Sequence, residues 1–244
     1  MLLEADLHTH TLASGHAFST VREMAQYAAR KRLKMIAVTD HGVRMPGGPD
    51  ENYFRQLRGL PDLICGVEVL KGVEANIVDG YGNLDMPPDI LENLDLVLAG
   101  FHDGTGYQGG SVEQNTAALV AAIHNPLVHI IAHPGNPLYP VELEKIVMAA
   151  KAAGKALEIN NGSFTFRRPG SGPRCEYMAK LAAKSSVLVS VVSDAHNCFT
   201  VGAWEHAVAV AERAGIRPEN VVNSSTGLVR EFLRRNKQRI RKIS

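Results

Sequence analysis

The sequence lacks the features that mark nucleic-acid-binding, membrane and secreted proteins. Its charges nearly cancel, with 26 Lys and Arg against 25 Asp and Glu, so it has no positive excess for binding nucleic acid or an acidic membrane. No apolar run approaches the ~18 residues of a membrane span. Residues 1–6 include two acids and lack the basic and apolar stretches of a signal peptide. We therefore expect a cytoplasmic globular protein.

Cysteine is also scarce. The three cysteines, Cys65, Cys175 and Cys198, are far apart and form no C-x-x-C pair. This pattern fits a reducing compartment and argues against a disulfide framework or a thiolate zinc site. Histidine, in contrast, occurs ten times in 244 residues, so the positions of the histidines become the central question.

Short apolar segments alternate with segments of helical spacing along the chain. Nearly continuous apolar runs are typical of parallel strands that are covered on both faces. The seven predicted strands are 2–8, 35–41, 69–76, 94–102, 128–133, 155–161 and 187–196. Capping residues and spacing predict helices over 20–32, 112–124, 141–153, 174–184 and 200–214, followed by a short strand at 220–223 and a helix at 226–236.

Seven strand–helix units in one chain predict an α/β fold with a parallel sheet. No linker or break in composition divides the chain. We expect a single domain over residues 1–244, with a C-terminal helix and basic tail from about residue 226. The alternation alone fits an open doubly wound sheet as well as a closed barrel.

Polar residues at the strand ends favour the barrel. Six of the predicted strands deliver His, Asp or Glu to their carboxyl ends, which is where the active sites of βα barrels gather. His8 and His10 lie two apart on one strand, so both rings project from the same face and can bind one ion. Asp194 and His196 repeat that spacing, and His16 follows on a loop that can reach the same rim. The nine candidate ligands are His8, His10, His16, His41, Glu74, His102, His133, Asp194 and His196.

Nine ligands exceed the about four that one zinc ion takes, so we expect two or three ions that share carboxylates and water. The seven imidazoles favour Zn²⁺, with Mn²⁺ or Fe²⁺ as alternatives. Several divalent ions beside only two carboxylates leave an excess of positive charge. That excess predicts an anionic substrate and a deprotonated bridging water, and a phosphate ester meets both demands.

Several of these residues lie in recognisable motifs. The motifs are His8-Thr9-His10, Thr39-Asp40-His41, Gly72-Val73-Glu74, His133-Pro134-Gly135-Asn136-Pro137, Leu157-Glu158-Ile159-Asn160-Asn161 and Ser193-Asp194-Ala195-His196. From residue 3 to about residue 230 the chain resembles the PHP (polymerase and histidinol phosphatase) family of metal-dependent phosphoesterases. It is most similar to the small stand-alone phosphatases of this family in bacteria. The resemblance implies a distorted seven-stranded βα barrel like the TIM barrel, a centre of three zinc ions and a trimeric assembly.

The resemblance also implies how the ligands are shared. It implies one ion held by His8, His10, Glu74 and Asp194, a second held by Glu74 as a bridge with His102 and His133, and a third held by His16, His41 and His196. Every expected ligand is present, which favours an active enzyme over a metal-buffering or regulatory protein built on a degenerate barrel.

We therefore predict a phosphatase that hydrolyses phosphomonoesters with a metal-bridging hydroxide, with Glu74 and Asp194 as its catalytic carboxylates. Arg167 and Arg168 follow the sixth strand and either bind the substrate phosphate or form a solvated loop pair. Asp6 shares a strand face with His8 and His10, so it either orients an imidazole or is a buried carboxylate bonded to backbone.

The main alternative is a phosphodiesterase or nuclease that acts on nucleotides or DNA ends. The C-terminal segment is rich in Arg and Lys and could follow a phosphate backbone. We prefer a solvated helix, because Phe232 is the only aromatic residue there and stacking on bases needs several. The expected partner is a small phosphorylated substrate rather than nucleic acid or a membrane.

Overall fold

Seven parallel strands with helices between them form a nearly closed barrel. The computed structural model describes residues 1–243, with side chains as far as residue 239. The strands are β1 (Ala5–Thr9), β2 (Met35–Val38), β3 (Leu63–Ile64), β4 (Val67–Asn76), β5 (Leu96–Gly100), β6 (Ile130–Ile131), β7 (Ala156–Asn160) and β8 (Val189–Val192). The parallel order is β1-β2-β4-β5-β6-β7-β8, and β3 pairs antiparallel with β4.

Helices connect the strands on the outside of the barrel. They are α1 (Val21–Arg30), α2 (Glu51–Gln56), α3 (Pro88–Leu91), α4 (Val112–His124), α5 (Leu143–Ala153), α6 (Ser171–Ser185), α7 (Glu205–Arg213) and α8 (Thr226–Ile243). Thr20 and Glu23 form the predicted capping box of α1, and Gly154 ends α5 with a φ of 63°. Among the described residues, no helix combines the length and apolar character needed to cross a bilayer.

The predicted order of strands and helices is confirmed, and the open sheet that the pattern also allowed is wrong. The last strand returns to the first, where Thr9 and Ala195 form a parallel bridge and the His10 N–H donates to the Ala195 carbonyl at 2.8 Å. Farther from the rim, the side chain of Asn223 fills the gap between β1 and β8. It donates to the carbonyls of Ala5 and Val191 at 2.8 and 2.7 Å and accepts from the Val191 N–H at 3.0 Å.

Several predicted boundaries differ from the structure. The strand predicted at 220–223 forms only the single bridge Val189–Val221, because Asn223 pairs through its side chain. The strand predicted at 128–133 is reduced to β6, because the His129 ring replaces part of the ladder by accepting the Val97 N–H at 3.0 Å. The segment between β2 and β4, for which the sequence predicts no helix, contains α2, whose N-terminus is capped by Asp50.

The interior of the barrel is apolar at the end opposite the strand carboxyl termini, and α8 closes that end. Val229 and Phe232 of α8 pack with buried barrel residues such as Leu7 and Leu98. The ammonium group of Lys155 is buried beside α8, where it donates to the carbonyls of Pro126 and Val128 and to Oδ1 of Asn236. Burial, together with the nearby Arg239, lowers the pKa of Lys155 to about 8. The polar rim therefore lies at the other, open end of the barrel.

Candidate metal centre

The structure brings all nine predicted ligands together at the carboxyl end of the barrel. β1 and β4 carry His8 and Glu74 directly, and the residues that immediately follow the strands supply most of the others. His16 comes from the loop after β1 and is the most exposed of the nine. The remaining side chains are buried or nearly so. The sequence predicts that these residues, although they come from many strands, lie at one end of the barrel.

Glu74 lies at the middle of the group. Its Oε1 is 2.8 Å from His133 Nε2 and 3.1 Å from His102 Nε2. Its Oε2 faces different neighbours, 3.2 Å from His8 Nε2 and 3.0 Å from His41 Nδ1. The two oxygens of one carboxylate thus face two separate sets of imidazoles, as a bridging ligand requires.

The other ligand atoms form compact sets around this carboxylate. His8 Nε2 and His10 Nε2 are 3.0 Å apart, and Asp194 Oδ1 lies 3.7 and 3.4 Å from them. On the outer side, His16 Nε2 and His196 Nε2 are 3.2 Å apart. The His41 ring lies between the sets, with its centre 5.1 Å from that of His16 and 4.7 Å from that of His102.

These separations fit divalent cations. Ligand atoms arranged tetrahedrally at ~2.0–2.1 Å from a zinc ion are ~3.3–3.4 Å from one another, close to the spacings observed here. Among the described residues, four buried atoms of the group, His41 Nδ1, Glu74 Oε2, His102 Nδ1 and Asp194 Oδ1, have no hydrogen-bond partner. Burying such atoms without a partner is costly, and cations between the ligands would satisfy His41 Nδ1, Glu74 Oε2 and Asp194 Oδ1.

Two of the proposed ligands have strained backbones. His133 and Asp194 have φ values of 31° and 57°, in the left-handed region that residues other than glycine seldom adopt. Such conformations cost about 1–3 kcal/mol and persist where the surrounding structure imposes them, often at functional sites. Each turns the chain sharply just beyond its strand.

Burial and charge set the protonation of the group. Burial by itself raises the pKa of Glu74 and Asp194, but the neighbouring histidines, and Arg168 beside Asp194, outweigh it and hold both values well below the ordinary range. Burial and the adjacent His41 and His196 lower the pKa of His10 well below its usual value. Ionised carboxylates and neutral imidazoles are the forms that bind metals.

The pKa of His8 shifts in the opposite direction from that of His10. Burial lowers its pKa, but the charges of Glu158, Glu74 and Asp194 outweigh burial and raise the pKa well above the usual value. A cation at His8 Nε2 would displace a proton there.

Glu158 is a site residue to which the sequence analysis assigned no role. Its Oε1 lies 2.6 Å from His8 Nδ1, and its Oε2 accepts from the His133 N–H and from Asn160 Nδ2, both at 3.0 Å. Asn160 in turn donates to Asp194 Oδ2 at 3.2 Å. Glu158 therefore fixes the orientation of His8 and the backbone of His133. The signal in the sequence was two polar residues, two apart, in the otherwise apolar β7.

Both arginines of the predicted pair reach the site. The guanidinium of Arg167 donates to the Asp194 carbonyl at 2.9 Å and lies 2.7 Å from His196 Nδ1. Arg168 donates to Asp194 Oδ2 at 2.6 Å, and its side chain is only 14% exposed. The loop after β7 therefore folds back over the rim and places two positive charges beside the group.

The proposed role of Asp6 in orienting an imidazole is wrong. Its Oδ1 accepts from the Ser193 N–H at 3.2 Å, and its Oδ2 accepts from the Ser193 hydroxyl at 2.5 Å and the Gly202 N–H at 2.9 Å. It shares a strand face with His8 and His10 but lies deeper, where the segment after β8 supplies these donors. Asp6 is the buried carboxylate, bonded largely to backbone, of the alternative interpretation.

Known proteins resemble the chain along most of its length. Residues 6–162 match the PHP domain family. A probable phosphatase of Thermoanaerobacter sp. (strain X514) is 49% identical over 240 residues, which cover 98% of each chain. A probable phosphatase of Syntrophotalea carbinolica is 46% identical over 233 residues, 96% of this chain and 97% of that protein.

A solved structure shares the fold. The histidinol phosphate phosphatase of Lactococcus lactis subsp. lactis Il1403, complexed with zinc, L-histidinol and phosphate, superposes with a TM-score of 0.66. The superposed region covers 89% of this chain and 95% of the Lactococcus chain, and the two sequences are 18% identical. At that identity the likeness shows the barrel architecture and nothing finer.

Proposed function

The chain belongs to the PHP domain family, and from this premise we propose that it is a metal-dependent phosphatase that hydrolyses small phosphomonoesters at the barrel rim. The observation that carries the proposal is the position of Glu74, whose two oxygens face two different sets of imidazoles. A carboxylate that faces imidazoles with both of its oxygens is suited to a multinuclear metal centre.

We assign three ions, most simply Zn²⁺, to the three sets, with Mn²⁺ or Fe²⁺ as alternatives. Glu74 joins the set of His8, His10 and Asp194 to the set of His102 and His133, and His16, His41 and His196 form the outer set. Ions held there supply a hydroxide at neutral pH and neutralise charge on the phosphate. The protein holds Glu74 and Asp194 ionised, so both remain available as ligands throughout the reaction.

Arg167 and Arg168 bind the phosphate group of the substrate in this proposal. Each arginine makes its hydrogen bonds to Asp194 through Nη1. The other guanidinium N–H groups can then donate to phosphate oxygens. An arginine that contacts non-reacting oxygens stabilises the ground state and the transition state alike. Its loss should therefore raise KM more than it lowers kcat.

Steady-state kinetics of Arg167→Ala, Arg168→Ala and the corresponding Lys variants test this role. We expect KM to rise in all four and lysine to restore it only in part, because a point charge cannot reproduce the planar fork. Arg213→Ala is the matched control, since that arginine is exposed on α7 and pairs with Glu176. Wild-type KM and kcat in all four variants would show that neither arginine binds the substrate.

The nuclease alternative gains nothing from the basic C-terminal helix. Arg234 and Arg235 pair with Glu231 at 2.7 and 2.6 Å, and Arg230 pairs with Glu68 at 2.5 Å. The helix also closes the end of the barrel opposite the rim. The predicted tail includes Arg241 and Lys242, which lie outside the residues whose side chains are described, and Ser244, which lies outside the described residues.

One comparison of substrates tests the reaction class. The protein loaded with Zn²⁺ or Mn²⁺ is assayed on p-nitrophenyl phosphate, a dinucleotide diester and single-stranded DNA. We expect hydrolysis of the monoester and little action on the other two. Faster cleavage of the diester or the DNA would make the chain a phosphodiesterase or nuclease, and inactivity on all three would favour a metal-binding protein without this activity.

A further inference from the structure

We infer that a buried hydrogen-bond network holds the imidazole of His10 in place and fixes which of its nitrogens carries the hydrogen. The Asp40 network, as we name it, consists of Thr11, Ser14, Asp40 and Tyr53. The inference rests on the proposed function, because it concerns a proposed metal ligand. None of the four residues is itself a ligand in that proposal, so they are positioning residues.

Asp40 is the centre of the network and is fully buried. Its Oδ1 accepts from the Thr11 N–H and from the Ser14 hydroxyl, both at 2.6 Å. Its Oδ2 accepts from the Thr11 hydroxyl at 2.8 Å and from the Tyr53 hydroxyl at 2.5 Å. Four donors satisfy this carboxylate, and among the described residues no Lys or Arg pairs with it.

The donors determine where the hydrogen atoms lie. The Ser14 hydroxyl donates to Asp40 Oδ1, so its one hydrogen lies in that bond. Ser14 Oγ must then accept from its other neighbours, which are His10 Nδ1 at 3.0 Å and the His41 N–H at 3.3 Å. His10 therefore carries its hydrogen on Nδ1, and its Nε2 presents a lone pair to the centre, 3.4 Å from both Glu74 Oε2 and Asp194 Oδ1.

The local fold brings these residues together from three separate segments. The turn Leu12–Ser14, capped by the Thr11 side chain, brings Ser14 back towards Asp40, which follows β2. Tyr53 comes from α2. Burial and the charge of Asp40 raise the pKa of Tyr53, so the phenol keeps the hydrogen that it donates.

His8 is oriented in a different way, although it lies only two residues away on the same strand face. Its Nδ1 meets the carboxylate of Glu158 directly at 2.6 Å, whereas a serine hydroxyl separates His10 from Asp40. Partners of this kind fix the tautomer of a metal-binding histidine, and their loss typically costs ~10–100-fold in metal affinity or activity. Ser14 serves two proposed ligands at once, because it also accepts the His41 N–H.

Replacing Ser14 tests the network through metal affinity rather than turnover alone. Zn²⁺ affinity is measured by competition with a chromogenic chelator for the wild type, Ser14→Ala, Tyr53→Phe and Ser193→Ala. We expect Ser14→Ala to weaken binding of one ion by ~10–100-fold, and Tyr53→Phe to weaken it by a smaller but measurable factor of up to about tenfold. Thermal melting of the metal-free proteins is followed in parallel.

Ser193→Ala is the matched control. Its hydroxyl also donates to a buried carboxylate, Asp6, but contacts none of the proposed ligands. It should lower the melting temperature about as much as Ser14→Ala and leave zinc affinity unchanged. Equal losses of affinity in both serine variants would overturn the inference, because the effect would then be general destabilisation.

Wild-type zinc affinity in Ser14→Ala would also overturn the network's role while leaving the proposed function intact. Failure of the wild type itself to bind zinc would instead overturn the proposed function and the inference with it. Should Ser14→Ala not fold, Tyr53→Phe still decides, since it keeps the serine and the aromatic ring. Unchanged affinity in that variant contradicts a network that reaches from Tyr53 to His10.

Discussion

The two ends of the barrel bury polar side chains in opposite ways. At the closed end, Lys155 donates to three oxygens and Asn223 satisfies three backbone groups, and His129 Nε2 is a single atom there without a partner in the part of the chain that the structure describes. At the open end, Glu74 Oε2 and Asp194 Oδ1 have no hydrogen-bond partner among the described residues. Because buried polar atoms are normally paired, a saturated group indicates a structural role, and a cluster of unpaired atoms indicates a place for a ligand.

The largest expected effect comes from removing the bridge at the open end. Glu74→Gln keeps the size of the side chain and removes its charge. We expect it to lose at least one metal ion and to lower kcat/KM by about 100-fold or more, because even partners of ligands contribute ~10–100-fold. Elemental analysis and kinetics measure both. Full metal content with near-normal turnover would show that Glu74 does not bridge.

A comparable substitution at the closed end should affect stability instead. Lys155→Met keeps much of the apolar stem and leaves three acceptors without their donor. We expect the free energy of unfolding, measured with urea, to fall by about 2–3 kcal/mol. Metal content should stay as in the wild type.

Lys145→Met is the control for that substitution, because this lysine is exposed and forms a surface pair with Glu142. It should change stability by less than about 0.5 kcal/mol. If Lys155→Met instead loses metal while remaining folded, the two ends do not divide their roles as described.

A smaller effect is expected at the exposed edge of the centre. His16 belongs to the outer set, which offers only neutral nitrogens, so its ion should exchange first. His16→Ala should lower activity about tenfold and leave the melting temperature within a few degrees. His124→Ala, an exposed histidine at the end of α4, is the control and should change neither quantity. A His16→Ala protein that does not fold would make His16 structural.

The smallest effect concerns His129, a histidine buried at the closed end. Burial, with Lys155 nearby, lowers the pKa of His129 from 6.5 to about 3. Between about pH 6.5 and pH 3, His129 is therefore protonated in the unfolded chain but neutral in the folded chain. The free energy of unfolding falls as the pH falls through this range. The slope from one such group is at most about 1.4 kcal/mol per pH unit.

His129→Asn isolates that contribution. Asparagine can still accept the Val97 N–H, which now bonds to His129 Nδ1, but it cannot be protonated. Urea unfolding of the metal-free proteins between about pH 6.5 and pH 4 should show a shallower loss of stability in the variant than in the wild type. Parallel curves would mean that folding does not lower the pKa of His129.

The barrel and its rim could be predicted because they depend on local patterns. Apolar runs predict the strands, and the carboxyl ends of parallel strands lie at one end of a barrel. Every residue placed there from the sequence, from His8 to His196, lies in the group that the structure forms. For Arg167 and Arg168 the sequence left two alternatives open, contact with the site or a solvated loop pair. It could not decide between them, because the path of a loop depends on its contacts with the rest of the fold.

The partners of the ligands could not be predicted, because they join distant parts of the chain. His8 and Glu158 are 150 residues apart. Asp40 contacts Ser14 from the turn after β1 and Tyr53 from α2, a helix that the sequence did not predict. Sharing a strand face suggested that Asp6 orients an imidazole. Asp6 instead lies deeper in the barrel and accepts hydrogen bonds from Ser193 and Gly202. Neither its depth nor these donors can be read from the sequence.

Metal content tests the central claim most directly. Protein purified without chelators is analysed for elements, and activity on a phosphomonoester is measured before and after addition of Zn²⁺ or Mn²⁺. We predict two to three divalent ions per chain, as expected for nine ligands of which one bridges. Less than one ion per chain, with no activity regained on adding either metal, would contradict the account.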